Sequence, residues 1–227
     1  MIHAILRNKL GQSLDSSVVH WKELFRPSED SLTSSVFGQL LYLPTELFWR
    51  IISESCFDNS FPKECGDLIE YFFWPRWSSK ETSNSIYVEP DLFLRFTKRD
   101  VIIEAKRNDE KQQNVNQWNT EIQSYKNEYA SDNKNLIFIA IGGIWDKKTE
   151  HVGKVSVYKM TWSRVLHVVK KIYLEFDIDS KNKSYKRILR DLIEYFRIHG
   201  FFIGEWLNTL ELERNHFSKS LQILFKE

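Results

Sequence analysis

The sequence predicts an α/β fold in which a mixed central sheet is flanked by helices and followed by a helical C-terminal extension. Three observations carry that reading. "IYVEPDLFLRF", a polar turn "TKRD" and "VIIEAKR" form a β-hairpin pattern, and one helix later "NLIFIAIGG" is an unbroken apolar run ended by glycines. Nearer the C-terminus, "SRVLHVVKKIYLEF" and "YKRILRDLIEYFRIHGF" are amphipathic at the helical period.

Taken in order, the stretch from Ser31 to Cys56 reads as helix. Apolar positions in "SLTSSVFGQLLYL" fall at helical spacing, and Pro44 suits the first turn of a second helix, "PTELFWRIISESC". "DLIEYFFWPRW", bounded by Gly66 and Pro75, reads as a strand. In the hairpin, Ile86, Val88, Pro90, Leu92, Leu94 and Phe96 alternate onto one apolar face, with Tyr87, Glu89, Asp91, Phe93 and Arg95 on the other. Its second strand sets Val101, Ile103 and Ala105 on an apolar face and Ile102, Glu104 and Lys106 on the opposite one. Closure at Lys98 and Arg99 puts Asp91 opposite Lys106, with Glu104 as a diagonal neighbour roughly 7–8 Å away.

After Arg107, Asn108 or Asp109 caps a helix running to about Tyr129. "NLIFIAIGG" then lies one helix beyond the Glu104 strand, which predicts a parallel pair joined by a right-handed crossover. "KVSVYKMTW" is a further strand, and Gly200 stops the last helix. The 227 residues fit one domain, with a core over about 28–162 and a helical extension over 163–227; "DSKNKSYKR" is the best linker candidate.

Composition narrows the class. Hydrophobic content of 42% with eight tryptophans excludes extended disorder, and 32 basic against 31 acidic residues exclude a global positive field, so any nucleic-acid site is a local patch. Cys56 and Cys65 read as free thiols, the six histidines form no zinc-like cluster, and no run approaches a membrane span. With no apolar signal core in "MIHAILRNKLGQSL", the expected location is cytoplasmic.

Chemistry concentrates in the hairpin. Asp91 and Glu104, thirteen positions apart on adjacent strands, can share a hard divalent cation, with the Lys106 ammonium beside a phosphate or water. Pro90-Asp91 followed by Glu104-Ala105-Lys106 resembles the signature of the PD-(D/E)xK nuclease superfamily, whose members share the restriction-endonuclease-like fold. The resemblance implies Mg²⁺, with Mn²⁺ as a substitute, bound by Asp91, Glu104 and the backbone carbonyl of Ala105, while Lys106 orients the attacking water and stabilises transition-state charge. On the following helix, Gln117 is similar to the polar residue that several of these families direct at the active site; Trp118, Ile122, Tyr125 and Tyr129 form the apolar stripe beside it, and Glu121 flanks that stripe with Gln117. An acid from the first helix commonly completes the set. Glu29 is preferred there, with Asp30, Glu46 and Glu70 as alternatives.

The implied activity is that of a Mg²⁺-dependent DNA endonuclease of a bacterial restriction or phage-defence type, with RNA kept open as a substrate and a homodimer or a partner protein of a defence system as possible company. A second reading is a nucleic-acid-binding subunit of the same fold that cuts only within a complex. A third, a structural interaction domain, leaves the intact Asp, Glu and Lys set without a use. Two basic groups, Lys98, Arg99, Arg107 and Lys111 beside the motif and Lys181, Lys183, Lys186, Arg187 and Arg190 further on, are candidate phosphate contacts.

Overall fold

The computed structural model describes residues 17–108, 111–176 and 182–202, with positions 4, 5, 7, 9, 13 and 14 of the N-terminal segment. Asp109, Lys181 and the part of the predicted extension beyond residue 202 lie outside the described residues. A two-stranded ribbon, β1 (Ser13–Leu14) and β2 (Ser17–Val18), precedes three helices, α1 (Trp21–Phe25), α2 (Glu29–Leu40) and α3 (Thr45–Ser55). Then come β3 (Leu68–Phe73), the short β4 (Trp77–Ser78) and β5 (Tyr87–Val88), β6 (Leu92–Phe96), β7 (Arg99–Ala105), α4 (Val115–Tyr129) and β8 (Asn135–Ile141). The last elements are β9 (Glu150–Val152), β10 (Val155–Met160), α5 (Trp162–Glu175) and α6 (Lys183–Ile198). No helix among the described residues is long and apolar enough to cross a membrane.

Six strands form one mixed sheet in the order β3-β6-β7-β8-β10-β9. β7, β8 and β10 are parallel, and β3, β6 and β9 run against their neighbours. Helices cover both faces, so the central strands are buried on both sides. On one face Leu92, Leu94, Val101 and Ile103 meet Leu32, Val36 and Phe37 of α2, Trp49 and Ile52 of α3, Val165 and Val169 of α5, and Leu189 and Phe196 of α6 in one cluster. The predicted extension, as far as it is described, thus contributes to the same core as the strands. On the other face Phe93, Ile102 and Phe138 pack against Trp118, Ile122 and Tyr125 of α4. Caps fix where the helices begin: Ser28 Oγ accepts from the backbone N–H of Ser31 at 3.1 Å for α2, Asn114 Oδ1 from Asn116 at 2.9 Å for α4, and Thr161 Oγ1 from Arg164 at 3.2 Å for α5.

Three local expectations change. The first hairpin strand is broken: β5 pairs with β4 in a separate ribbon and leaves Ile86 80% exposed, and β6 starts only after Pro90, which has no N–H for a central ladder. The hairpin closes two residues earlier in register than predicted, at Thr97 and Lys98, because Arg95 pairs with Asp100 and Leu92 with Ile103. The backbone N–H groups of Thr97 and Lys98 donate to the carbonyls of Asp67 (2.9 Å) and Cys65 (3.1 Å), which pins the turn to the strand before it. That register, carried one step on, sets Asp91 against Glu104 rather than Lys106. The third change is α4, which starts at Val115 instead of following Asn108. Asn108 and residues 111–113 are committed to the glycine turn after β8: Asn108 O accepts from Gly143, and Gln112 and Gln113 donate to Gly143 O at 2.7 and 2.8 Å.

Gly142 and Gly143 at that turn have φ of +66° and +60°, and a Cβ at Gly142 would lie 2.2 Å from Lys106 O. Gly142→Ala is therefore expected to destabilise by at least about 2 kcal/mol, roughly 4–8 °C in Tm for a chain of this size. Gly38→Ala, in α2 with nothing within 4 Å of the new methyl, should stabilise by about 0.5–1 kcal/mol. Differential scanning calorimetry of both variants checks the pair, and equal shifts would contradict the steric account.

Candidate functional site

At its C-terminal end β7 runs out of ladder partners, and side chains from four other elements take over its backbone. Ala105 N–H donates to Asp91 Oδ2 at 2.8 Å and Arg107 N–H to Glu29 Oε2 at 2.6 Å. Glu104 O accepts from Gln113 Nε2 at 3.1 Å, and Lys106 O accepts from Trp162 Nε1 at 2.8 Å. Lys106 N–H bonds to a sheet neighbour, Ile141 O, at 2.8 Å. In open α/β sheets the carboxyl ends of parallel strands are where ligand sites form, and this cluster sits at that end of β7, β8 and β10.

The side chains converge on the same point. Glu104 is 2% exposed, forms an ion pair with Lys106 and accepts from Gln117 Nε2 at 2.7 Å. Lys106 Nζ also lies 3.6 Å from Glu29 Oε1. Asp91, Glu104, Lys106, Gln117 and Glu29 are thus one cluster. Because α4 runs back along β7, Gln117 meets Glu104 at the upper end while Tyr125 donates its hydroxyl to the buried Asp100 at the lower end, 3.0 Å away, which makes Tyr125 a core residue. The other acids lie elsewhere. Asp30 is exposed on the first turn of α2, Glu46 lines a different pocket with Cys65 and Lys98, and Glu70 is exposed on β3 in register with Arg95.

One further acid was not assigned from the sequence. Glu121 of α4 is 1% exposed and its two carboxyl oxygens have no hydrogen-bond partner of ordinary geometry. It follows Gln117 by one helical turn, and that i,i+4 spacing is the signal that pairs them. Burial, then the charges of Glu104 and Asp91, hold its pKa well above the ordinary carboxylate value. Burial and the neighbouring Glu104 push Asp91 up to about 8, against the pull of the Ala105 N–H. Glu104 is raised as well, mainly by burial, with Lys106 opposing. Burial works against the Lys106 ammonium, but Glu104, Glu29 and Asp91 outweigh it and its pKa rises.

Among the described residues, no three His, Cys, Asp or Glu side chains stand together as a group able to hold a metal ion. The donor chemistry of the pair does fit a hard cation: Asp91 and Glu104 offer only oxygens, and burial, the first cause of their raised pKa values, leaves them short of solvent.

The two basic groups do not surround this cluster. Lys98 pairs with Glu64 and, with Arg99, sits at the hairpin end, the length of β7 away at roughly 20 Å. Arg107 is tied inward, donating to Arg26 O at 3.0 Å and to His199 O, with its guanidinium 4.7 Å above the Phe201 ring. On α6, Lys186 donates to Phe176 O and Arg190 pairs with Asp191 at 3.6 Å, while Lys183 and Arg187 are exposed.

No model of a known protein family matches the chain. It is 31% identical over 205 residues, 81% of its own length and 75% of the relative's, to Uncharacterized protein PM0110 of Pasteurella multocida (strain Pm70). The chain belongs to the same family as that protein.

The raised carboxylates give a signed pH dependence. Asp91 binds its proton more tightly folded than unfolded, so the stability linked to it is complete below about pH 4 and is lost as pH rises through about 8. Lys106, raised above the ordinary lysine value, keeps its contribution throughout that window. Metal-free protein should therefore unfold more easily at pH 8 than at pH 6, and Asp91→Asn, which keeps an acceptor for Ala105, should flatten that slope and gain on the order of 1–3 kcal/mol at pH 8. Urea unfolding at both pH values decides it; an Asp91→Asn slope equal to wild type would overturn the electrostatic account.

Proposed function

We propose that this protein is a divalent-metal-dependent nuclease of the PD-(D/E)xK type, hydrolysing phosphodiester bonds in DNA. The observation that carries this reading is the junction of Asp91, Glu104 and Lys106 at the carboxyl end of a buried sheet, with Glu29 from α2 and Gln117 from α4 reaching it. Two helices, an antiparallel run β3-β6-β7, the crossover helix α4 and the parallel β8 follow one another in an order similar to the restriction-endonuclease-like core.

Asp91 and Glu104, with the carbonyl of Ala105, would hold Mg²⁺ or Mn²⁺, and Glu29 would extend that set. When bound, such an ion supplies Lewis-acid polarisation of a phosphoryl oxygen and a lower pKa for water. The chain's own work is to place charge. Lys106 presents an ammonium, fixed by Glu104 and Glu29, where a phosphate's added negative charge must be met. Gln117 holds the Glu104 carboxylate in one orientation through a single amide N–H. The Ala105 N–H does the same for Asp91. A second reading, a nucleic-acid-binding subunit that cuts only within a complex, has in its favour that no three acids converge as a ready metal group among the described residues.

Asp91→Ala, Glu104→Ala and Lys106→Ala should each abolish metal-dependent cleavage of plasmid and linear DNA with the protein still folded, because none of the three belongs to an apolar cluster; Asp91→Ala also frees the Ala105 N–H and should cost about 1–3 kcal/mol, which Asp91→Asn avoids. Mg²⁺ and Mn²⁺ should support turnover, Ca²⁺ binding without efficient turnover, and EDTA none. Full activity of Lys106→Ala, or cleavage in excess EDTA, would sink the assignment.

Glu29→Gln should raise the Mg²⁺ concentration needed for half-maximal rate, since a neutral amide is the weaker ligand for a hard cation. Glu46→Gln, in the separate pocket with Cys65, should not. Titrating Mg²⁺ against initial rate for both variants checks this, and a shift confined to Glu46→Gln would reverse it.

A further inference from the structure

Beside the carboxylates lies a cleft of about 340 Å³ that the hydrolytic chemistry does not use. Gln117, Thr120, Glu121 and Asn116 of α4 form one wall, and Ser83 and Asn84 of the excursion between β4 and β5 form the other. The two walls approach at the rim, where the Ser83 and Thr120 hydroxyls are 3.4 Å apart. No lysine or arginine lines the cleft, and of its two acids Glu89 is engaged by Arg76 at 2.9 Å. A phosphate has nothing to pair with there. What the cleft offers are amides, hydroxyls and one buried carboxyl, the combination that reads neutral hydrogen-bonding edges.

Two of those groups want partners. Glu121, 1% exposed, has Glu104 and Gln117 within reach but neither carboxyl oxygen in a hydrogen bond of ordinary geometry. A buried polar group in that condition calls for a ligand or water to complete it. Asn116 is exposed on the same wall, and its backbone groups, not its amide, are the ones engaged: its N–H donates to Asn114 Oδ1 at 2.9 Å and its carbonyl accepts from Thr120 Oγ1 at 2.9 Å. Gln117 spans both regions, lining the cleft while its Nε2 donates to Glu104.

We infer that the cleft seats one unpaired nucleobase of the strand being cut, next to the phosphate held at Lys106, with preference for adenine, the base that side-chain amides pair with. Side-chain amides pair with the adenine amino group and ring nitrogen together; thymine offers an acceptor and a methyl instead. A duplex keeps those edges paired, so the cleft favours single-stranded or locally opened substrate. This inference rests on the nuclease reading, since it takes the occupant from the strand that reading supplies.

The test measures binding separately from cleavage. Fluorescence anisotropy in Ca²⁺ with labelled single-stranded homopolymers of dA, dC and dT should show dA bound about fivefold or more tighter than dC or dT. Asn116→Ala and Thr120→Val should erase much of that preference while leaving dT binding and the Mg²⁺ titration of cleavage unchanged. Equal binding of the three homopolymers, or the wild-type preference surviving in both variants, overturns the cleft and leaves the nuclease standing. Base preference lost in the variants but no cleavage by the wild type upholds the cleft as a binding site and overturns the nuclease. Neither binding nor cleavage overturns both.

Discussion

The structure depends on how the end of β7 is satisfied. A strand leaving a sheet exposes backbone donors and acceptors that cannot be left bare in a buried setting. Here Asp91, Glu29, Gln113 and Trp162 each take one of them, from the turn before β6, the start of α2, the approach to α4 and the start of α5. Moving any of these elements breaks a backbone hydrogen bond as well as a side-chain contact. The same bonds that end the strand therefore fix the positions of Asp91, Glu104, Lys106 and Glu29 relative to one another. Positional precision at the cluster comes from the fold's own hydrogen-bond accounting, and only the orientation of Glu104 is left to a separate group, Gln117.

That arrangement concentrates negative charge where water is scarce. Glu104 and Glu121 are nearly inaccessible, Asp91 is close by, and Lys106 is the cation that meets them. Charges in such a setting are costly unless matched. Arg107, the next residue, does not help, because its guanidinium is turned away to bind the end of α6 and stack on Phe201. Burial, first of all, holds the carboxyls of Asp91, Glu104 and Glu121 above the ordinary value, against the one ammonium of Lys106. Glu54, between Arg50 and Lys171 near the surface, is lowered instead.

Much of this was legible in the sequence. Strand alternation assigned the faces of β6 and β7 correctly, because Leu92, Leu94, Val101 and Ile103 go to one core and Phe93 and Ile102 to the other. Glu29 stood out among the acids for opening the first helix, and the structure brings it to Lys106. The hairpin register was not legible, since "TKRD" offers several two-residue closures and the choice is made by Asp67 and Cys65, which a local pattern does not see. The start of α4 was missed for a similar reason: Asn108 is a good cap, but its neighbours are claimed by the glycine turn thirty-odd residues later in the chain. Basic residues misled most. Lys98, Arg99 and Arg107 are close to the motif in sequence, yet a strand separates the first two from it and the third faces inward.

Glu121 shows where local pattern and tertiary chemistry diverge. At the edge of the apolar stripe of α4 a glutamate is ordinarily solvated, and nothing in the helix itself says otherwise. Burial follows from the helix being held at both ends. Tyr125 reaches Asp100 at the hairpin end of β7, Gln117 reaches Glu104 at the other, and Trp118 and Ile122 sit between them in the core. With those four contacts in place the rotation of α4 is set, and the residue one turn after Gln117 must face the same way as Gln117, toward the carboxylates and the polar cleft beside them. The buried acid is thus a consequence of anchoring the helix at Glu104, and a helix rotated to free Glu121 would have to give up the hydrogen bond that orients Glu104.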